Sequence, residues 1–85
     1  MEITFTKHAK EKFDILQEHG VSISQMRVKE VLTSPDHIDH SRYPLLFVQG
    51  ILDSTHTLRI VYRSEGDSII VITFYPGRIS QYGKT

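Results

Sequence analysis

Two β-rich runs separated by one short polar turn constrain this chain more than any other feature. Residues 58–63 read Leu-Arg-Ile-Val-Tyr-Arg, residues 64–67 read Ser-Glu-Gly-Asp, and residues 68–75 read Ser-Ile-Ile-Val-Ile-Thr-Phe-Tyr ahead of Pro76 and Gly77. β-Branched and aromatic side chains suit a pleated, half-buried surface, and a loop glycine supplies the positive φ that reverses the chain. The pair is expected as a hairpin at the centre of a sheet, with Pro76 and Gly77 stopping the second strand. Strand side chains alternate, so Arg59, Val61 and Arg63 share one face and Leu58, Ile60 and Tyr62 the other. The same rule sorts the second strand into Ile69, Val71, Thr73 and Tyr75 against Ile70, Ile72 and Phe74. A mid-strand arginine among aliphatics needs a partner or a ligand. The face that carries Arg59 is therefore the first place to look for a site.

The preceding segments supply what covers such a sheet. Glu2-Ile3-Thr4-Phe5 alternates and is expected as a short strand. Thr6 is an N-cap for a helix over residues 7–19, with Gly20 at the left-handed position beyond its last turn. Ala9, Phe13 and Leu16 form its apolar stripe, and His8, Lys12, Ile15 and His19 form a margin beside it. A second helix begins near Ser22, which forms a capping box with Gln25, or at Ser24. Met26, Val28, Val31 and Leu32 are its apolar side, and Pro35 drives Ser34 out of the helical region. Residues 36–42 alternate as an edge strand or extended loop. Pro44 opens a hydrophobic strand over residues 45–52, in which Gly50 suggests a bulge. The expected fold is α+β, a β-α-α-β-β-β(β) order with a two-helix hairpin on one face of a mainly antiparallel sheet.

With 85 residues and no cysteine, one domain with one modest core over residues 1–85 is expected, without disulfide or thiolate support. Met1 leads into a strand with no basic, apolar leader, and a cytoplasmic location without membrane attachment is expected. Ten basic residues balance ten acidic ones, which argues against indiscriminate coating of nucleic acid. From residue 54 onward, though, four cations (Arg59, Arg63, Arg78, Lys84) face two carboxylates (Glu65, Asp67). An anionic ligand belongs at that end.

Several chemistries lack their residues. His37, Asp39 and His40 cluster, but His40 points away from the other two on a strand, and His8 and His19 lie about 16 Å apart along a helix, so no metal site and no cofactor is expected. No Gly-x-Ser-x-Gly elbow or phosphate-binding glycine loop occurs. Cleavage of RNA by its own 2′-hydroxyl remains, because it asks only for proton transfer and a cation beside the phosphate. His8, Arg59, Tyr75, Arg78 and Tyr82 are residues of those types.

The segments Thr6-Lys7-His8-Ala9-Lys10-Glu11-Lys12, Glu18-His19-Gly20-Val21-Ser22 and Leu32-Thr33-Ser34-Pro35-Asp36, with the strands over 58–62 and 71–75, resemble the RelE/ParE-like toxin superfamily, nearest to its BrnT-like branch. The resemblance spans nearly the whole chain through short motifs in order. It implies a RelE-type fold, an endoribonuclease acting on free or ribosome-bound mRNA, and a cognate antitoxin as partner; a homodimer is left open. Carried across, it implies catalytic roles for His8, Arg59, Tyr75, Arg78 and Tyr82, with Arg59 and Arg78 on the phosphate and His8 or Tyr82 moving protons. RNA-binding roles fall on Lys12, Arg63, Thr73 and Lys84. Two departures stand out: the chain is neutral where such toxins are often basic, and Lys12 stands where an arginine is expected, which lacks the bidentate fork. The alternative is a non-catalytic interaction module on the same fold.

Overall fold

The computed structural model describes residues 2–78, so Tyr82 and Lys84 lie outside the described residues. The elements are β1 (Glu2–Phe5), α1 (Lys7–Glu18), α2 (Gln25–Thr33), β2 (His37–Asp39), β3 (Leu46–Ile51), β4 (His56–Glu65) and β5 (Ser68–Arg78). They build an α+β fold with one five-stranded mixed sheet in the order β1-β5-β4-β3-β2. β1 runs parallel to β5, and every other neighbouring pair is antiparallel. The β4–β5 hairpin thus occupies the middle of the sheet, as expected. Its turn is tighter than the sequence suggests: Glu65 pairs with Ser68, which leaves Gly66 and Asp67 as a two-residue loop, and Gly66 takes φ +59°.

The ends of α1 follow from local hydrogen bonding. Thr6 adopts an extended conformation and its Oγ1 accepts from Ala9 N at 3.1 Å. At the other end Gly20 takes φ +83°, while Gly20 N donates to Gln17 O and Val21 N to Leu16 O. This pair of bonds satisfies two carbonyls left over by the last turn, and Leu16 and Val21, its flanking apolar residues, both pack on the core. α2 is capped by Ser24, whose Oγ accepts from Arg27 N, and not by Ser22. At 100° per residue Met26 lies on the side opposite Val28, Val31 and Leu32, so it is 70% exposed while those three are buried. The expected apolar side was right at three positions and wrong at Met26.

Both helices cover the same sheet face, α1 over β5 and β1, α2 over β3 and β4, and each packs more on the sheet than on the other helix. The core between them holds Ala9, Val28, Val48, Leu58, Ile60, Val71 and Phe74, all buried. Phe74 anchors it, with its ring centroid 4.5 Å from that of Phe13, which in turn meets Phe5 edge-on.

Gly50 does not mark a bulge, because β3 and β4 stay in regular register from Leu46 to Ile51. A Cβ at position 50 would lie 2.8 Å from Val31 Cγ1 and 3.0 Å from Cγ2. The glycine is where α2 presses closest on the sheet. Nor do Pro76 and Gly77 end β5, which pairs with β4 as far as Arg78. β1 flanks β5 only to Val71, so Pro76 stands where β5 has become an edge, and there a missing N–H is tolerated.

The irregularity lies in β5 instead. Val61 pairs with Thr73 but Tyr62 pairs with Val71, so Ile72 is the extra residue of a bulge. Thr6 sits beside it: its N–H donates to Val71 O at 3.0 Å and its Oγ1 to Ile72 O at 3.1 Å. The bulge reverses the alternation halfway along the strand. Ile69 and Val71 share the helix-covered face with Phe74, while Thr73 and Tyr75 lie opposite Val61 and Arg59 on the other face. Simple alternation had grouped these residues differently.

Candidate functional site

The face opposite the helices is assembled strand by strand. In β4, Leu58 and Ile60 are fully buried under the helices, so Thr57, Arg59 and Val61 point the other way. Register then places Gln49 and Tyr75 on either side of Arg59, and Phe47 and Thr73 on either side of Val61. At the far edge His37 pairs with Gln49, and Asp39 with Phe47. One surface therefore carries three kinds of group: a half-buried guanidinium, aromatic rings, and hydroxyl, amide and imidazole side chains.

His8 reaches this surface from the side. It stands in the first turn of α1, past the end of β1, where no described strand pairs with that side of β5, and its Nε2 lies 3.3 Å from Thr73 Oγ1. The hydroxyl donates when Nε2 is bare and accepts when it carries a proton. An exposed imidazole, a threonine, a tyrosine and an arginine thus follow one another from the β5 edge to the middle of β4. Phe47 continues the row, with the Arg59 guanidinium carbon 5.8 Å from its ring centroid and that of Arg42 5.5 Å away.

Other expected site residues fall elsewhere. Arg63 is exposed and donates its Nε to Glu65 Oε2 at 3.1 Å, an ion pair along the end of β4. Tyr62, which was not among the expected site residues, packs against the core beneath the helices, and burial raises its phenol pKa. Lys12 is half-exposed on α1. Arg78 pairs with His56 at the end of β5, and alternation from Pro76 and Leu58 carries it to the face opposite Arg59. The structure brings together His8, Thr73, Tyr75 and Arg59, and separates Arg78 from them.

No family model, curated protein or solved structure matches the chain.

Phe47, Gln49 and Arg42 were missed as members of this face. The alternation of residues 46–50, with Leu46, Val48 and Gly50 inward, carried the signal for the first two. Nothing local marks Arg42, which depends on how the turn after β2 folds over β3.

A second concentration of polar groups sits at the β3–β4 loop. Asp53 Oδ1 accepts from Thr55 N, Thr55 Oγ1, His56 N and His56 Nδ1, at 2.8 to 3.1 Å. Led by the Thr55 amide, these bonds pull the Asp53 pKa down to about 2. The loop borders an open cleft of about 360 Å³, lined by Gly20, Val21, Ser22, Leu52 and Pro76 as well as Asp53 and His56. Four bonds to one carboxylate oxygen, within a stretch of four residues, account for a rigid turn without any ligand. Among the described residues no group of three histidine, aspartate or glutamate side chains is placed to hold a metal ion, and no helix is long and apolar enough to cross a membrane.

Proposed function

We propose that the protein is a ribonuclease of the RelE/ParE-like toxin type, cutting RNA through the 2′-hydroxyl and held in check by a cognate antitoxin. The observation that carries this reading is the row His8, Thr73, Tyr75 and Arg59 on the sheet face that the helices leave open. The β-α-α-β-β-β-β order agrees with the fold that the resemblance implies.

Each group has a role suited to its chemistry. The Arg59 guanidinium offers planar, paired donors to a phosphate and stabilises the negative charge that grows as the 2′-oxygen attacks. His8, exposed at the edge, exchanges protons with the attacking or departing oxygen, a task suited to imidazole near neutral pH. Thr73 orients the His8 ring through its Nε2. Tyr75, beside Arg59, stacks a base or donates its phenolic proton. Because Arg78 belongs to the other face, the phosphate is assigned to Arg59 without it.

The test is expression with and without a small acidic or DNA-binding protein encoded beside it, alongside RNA cleavage by purified protein with and without ribosomes. Wild type is expected to arrest growth and cut RNA, with His8→Ala and Arg59→Ala each at least about 100-fold slower. Wild-type protein that cuts no RNA in either setting refutes the enzymatic reading. A non-catalytic interaction module on the same fold is the second reading. The balance of ten basic and ten acidic residues favours it, as does Asp39 on the same face as Arg59.

A further inference from the structure

Phe47 holds two arginines, and the two arrive by different routes. Arg59 projects from the middle of β4, whereas Arg42 comes from the turn after β2, where Tyr43 N bonds to His40 O and Leu45 N to Arg42 O. Their guanidinium carbons lie 5.8 and 5.5 Å from the one ring centroid, so the two charges stand no more than about 11 Å apart. Within about 6 Å of a ring centroid the quadrupole attracts a cation.

The nearby acid is bound chiefly by its own turn. Asp39, opposite Phe47 in the β2–β3 register, is held by the Ser41 hydroxyl and by Ser41 N at 2.9 Å, and these bonds, with smaller contributions from the charges of His37 and Arg42, keep its carboxyl below the usual range. Arg27 pairs with Glu30, His56 with Asp53 and Arg63 with Glu65. Arg42 is exposed and belongs to none of them.

We infer that Arg42, Phe47 and Arg59 form one anion-binding unit that engages two nearby phosphates of a single-stranded nucleic acid, Arg42 being the outer contact. This rests on the proposed RNA-cleaving reading and extends it. Arg59 takes the phosphate at the reacting position, and Arg42 fixes the direction in which the strand leaves towards β2. Two charges on one ring form a fixed pair, so the second contact needs less ordering of a long side chain when the strand arrives. The flanking His37 and Gln49 add hydrogen-bonding groups to that path.

The experiment measures binding of a fluorescein-labelled ten-nucleotide oligouridylate and its 2′-deoxy counterpart by anisotropy, across salt from about 50 to 200 mM. Each phosphate contact on a single strand contributes about 0.7 to the slope of log affinity against log salt. Arg42→Gln is expected to reduce the slope by about 0.7 on both oligomers, and Asp39→Asn to tighten binding. Lys29→Gln on α2 should leave the slope unchanged. Phe47→Leu should weaken binding at low salt, with urea midpoints confirming that each variant is folded.

An unchanged slope in Arg42→Gln overturns the inference, as does an equal fall in Lys29→Gln or a wild-type protein that binds neither oligomer. Tighter binding of a short polyglutamate peptide than of either oligomer also overturns it, in favour of an acidic protein partner. The 2′-deoxy strand separates the two claims because it lacks the attacking hydroxyl. The expected slope change without any RNA cleavage upholds the phosphate unit and rejects the enzyme. Cleavage with an unchanged slope does the reverse.

Discussion

Replacing Gly50 by alanine tests how the helices are seated on the sheet. The added Cβ would meet Val31 Cγ1 at 2.8 Å, Cγ2 at 3.0 Å and Cβ at 3.4 Å. The first two separations are shorter than carbon atoms tolerate, and both belong to one β-branched side chain. Valine in a helix keeps one χ1 rotamer because the others strike the preceding turn, so rotation of Val31 gives little relief and α2 must lift. Overpacking of this kind costs about 1–3 kcal/mol. Against it, alanine restricts the unfolded chain and recovers about 0.4–1 kcal/mol. The net expectation is a loss of about 1–2 kcal/mol, which at a urea m-value of about 1 kcal/mol/M moves the midpoint down by roughly 1–2 M. Val31→Ala alone is also destabilising, because it removes two buried methyl groups, about 0.8 kcal/mol each before any cavity term. In the double variant the new methyl enters the space the old ones leave. The two losses should therefore fall short of additive by about 1 kcal/mol or more. Additivity within about 0.5 kcal/mol, or a neutral Gly50→Ala, would show that α2 does not rest on Gly50 and would refute the reasoning.

Three further outcomes follow from single residues. Phe74→Ala empties the centre of the core and should cost about 3–5 kcal/mol, lowering the thermal midpoint by more than about 12 °C in a calorimeter. Asp53 has its pKa held at about 2 against 3.8 in the free side chain, so its contribution is present above about pH 4 and lost as the pH falls towards 2. Asp53→Asn should accordingly flatten the acid limb of a stability curve followed by circular dichroism between pH 5 and 2. Thr73→Val removes the contact to His8 while keeping the shape of the side chain. If His8 moves protons, this variant should lower kcat for RNA cleavage more than it raises KM and displace the pH profile, and an unaltered profile would remove Thr73 from the site.

Tyr62 marks the alkaline side in the same way. Burial raises its pKa, so its contribution holds below about pH 10 and is lost as the pH climbs through the raised value. Tyr62→Phe should make the alkaline limb shallower.

Much of this molecule was legible before its tertiary structure, where short-range chemistry was sufficient. The hairpin turn at Gly66, the cap at Thr6, the left-handed Gly20 and the break before Pro35 each depend on a few adjacent residues, and each stands where the sequence placed it. Ser24 and not Ser22 caps the second helix, and the 100° spacing that sets Met26 opposite Val28, Val31 and Leu32 was legible in the sequence. Gly50 could be recognised as special, but its reason lay across the sheet in Val31, which local sequence does not reveal.

The site depended most on what sequence alone left undecided. Alternation identifies two faces of a strand only until a residue is inserted, and no composition rule marks Ile72 as the insertion. The bulge lies where β1 stops and Thr6 turns into α1, bonding to Val71 and Ile72 across separations of 65 and 66 residues. The inserted residue moves Thr73 and Tyr75 to the side of Arg59 and sends Phe74 into the core. Sequence determined that Arg59, Tyr75 and His8 were available for anion chemistry. Tertiary structure decided that they share one face with Phe47 and Arg42, and that Arg78 does not, because facing is set by long-range register and not by the residues themselves.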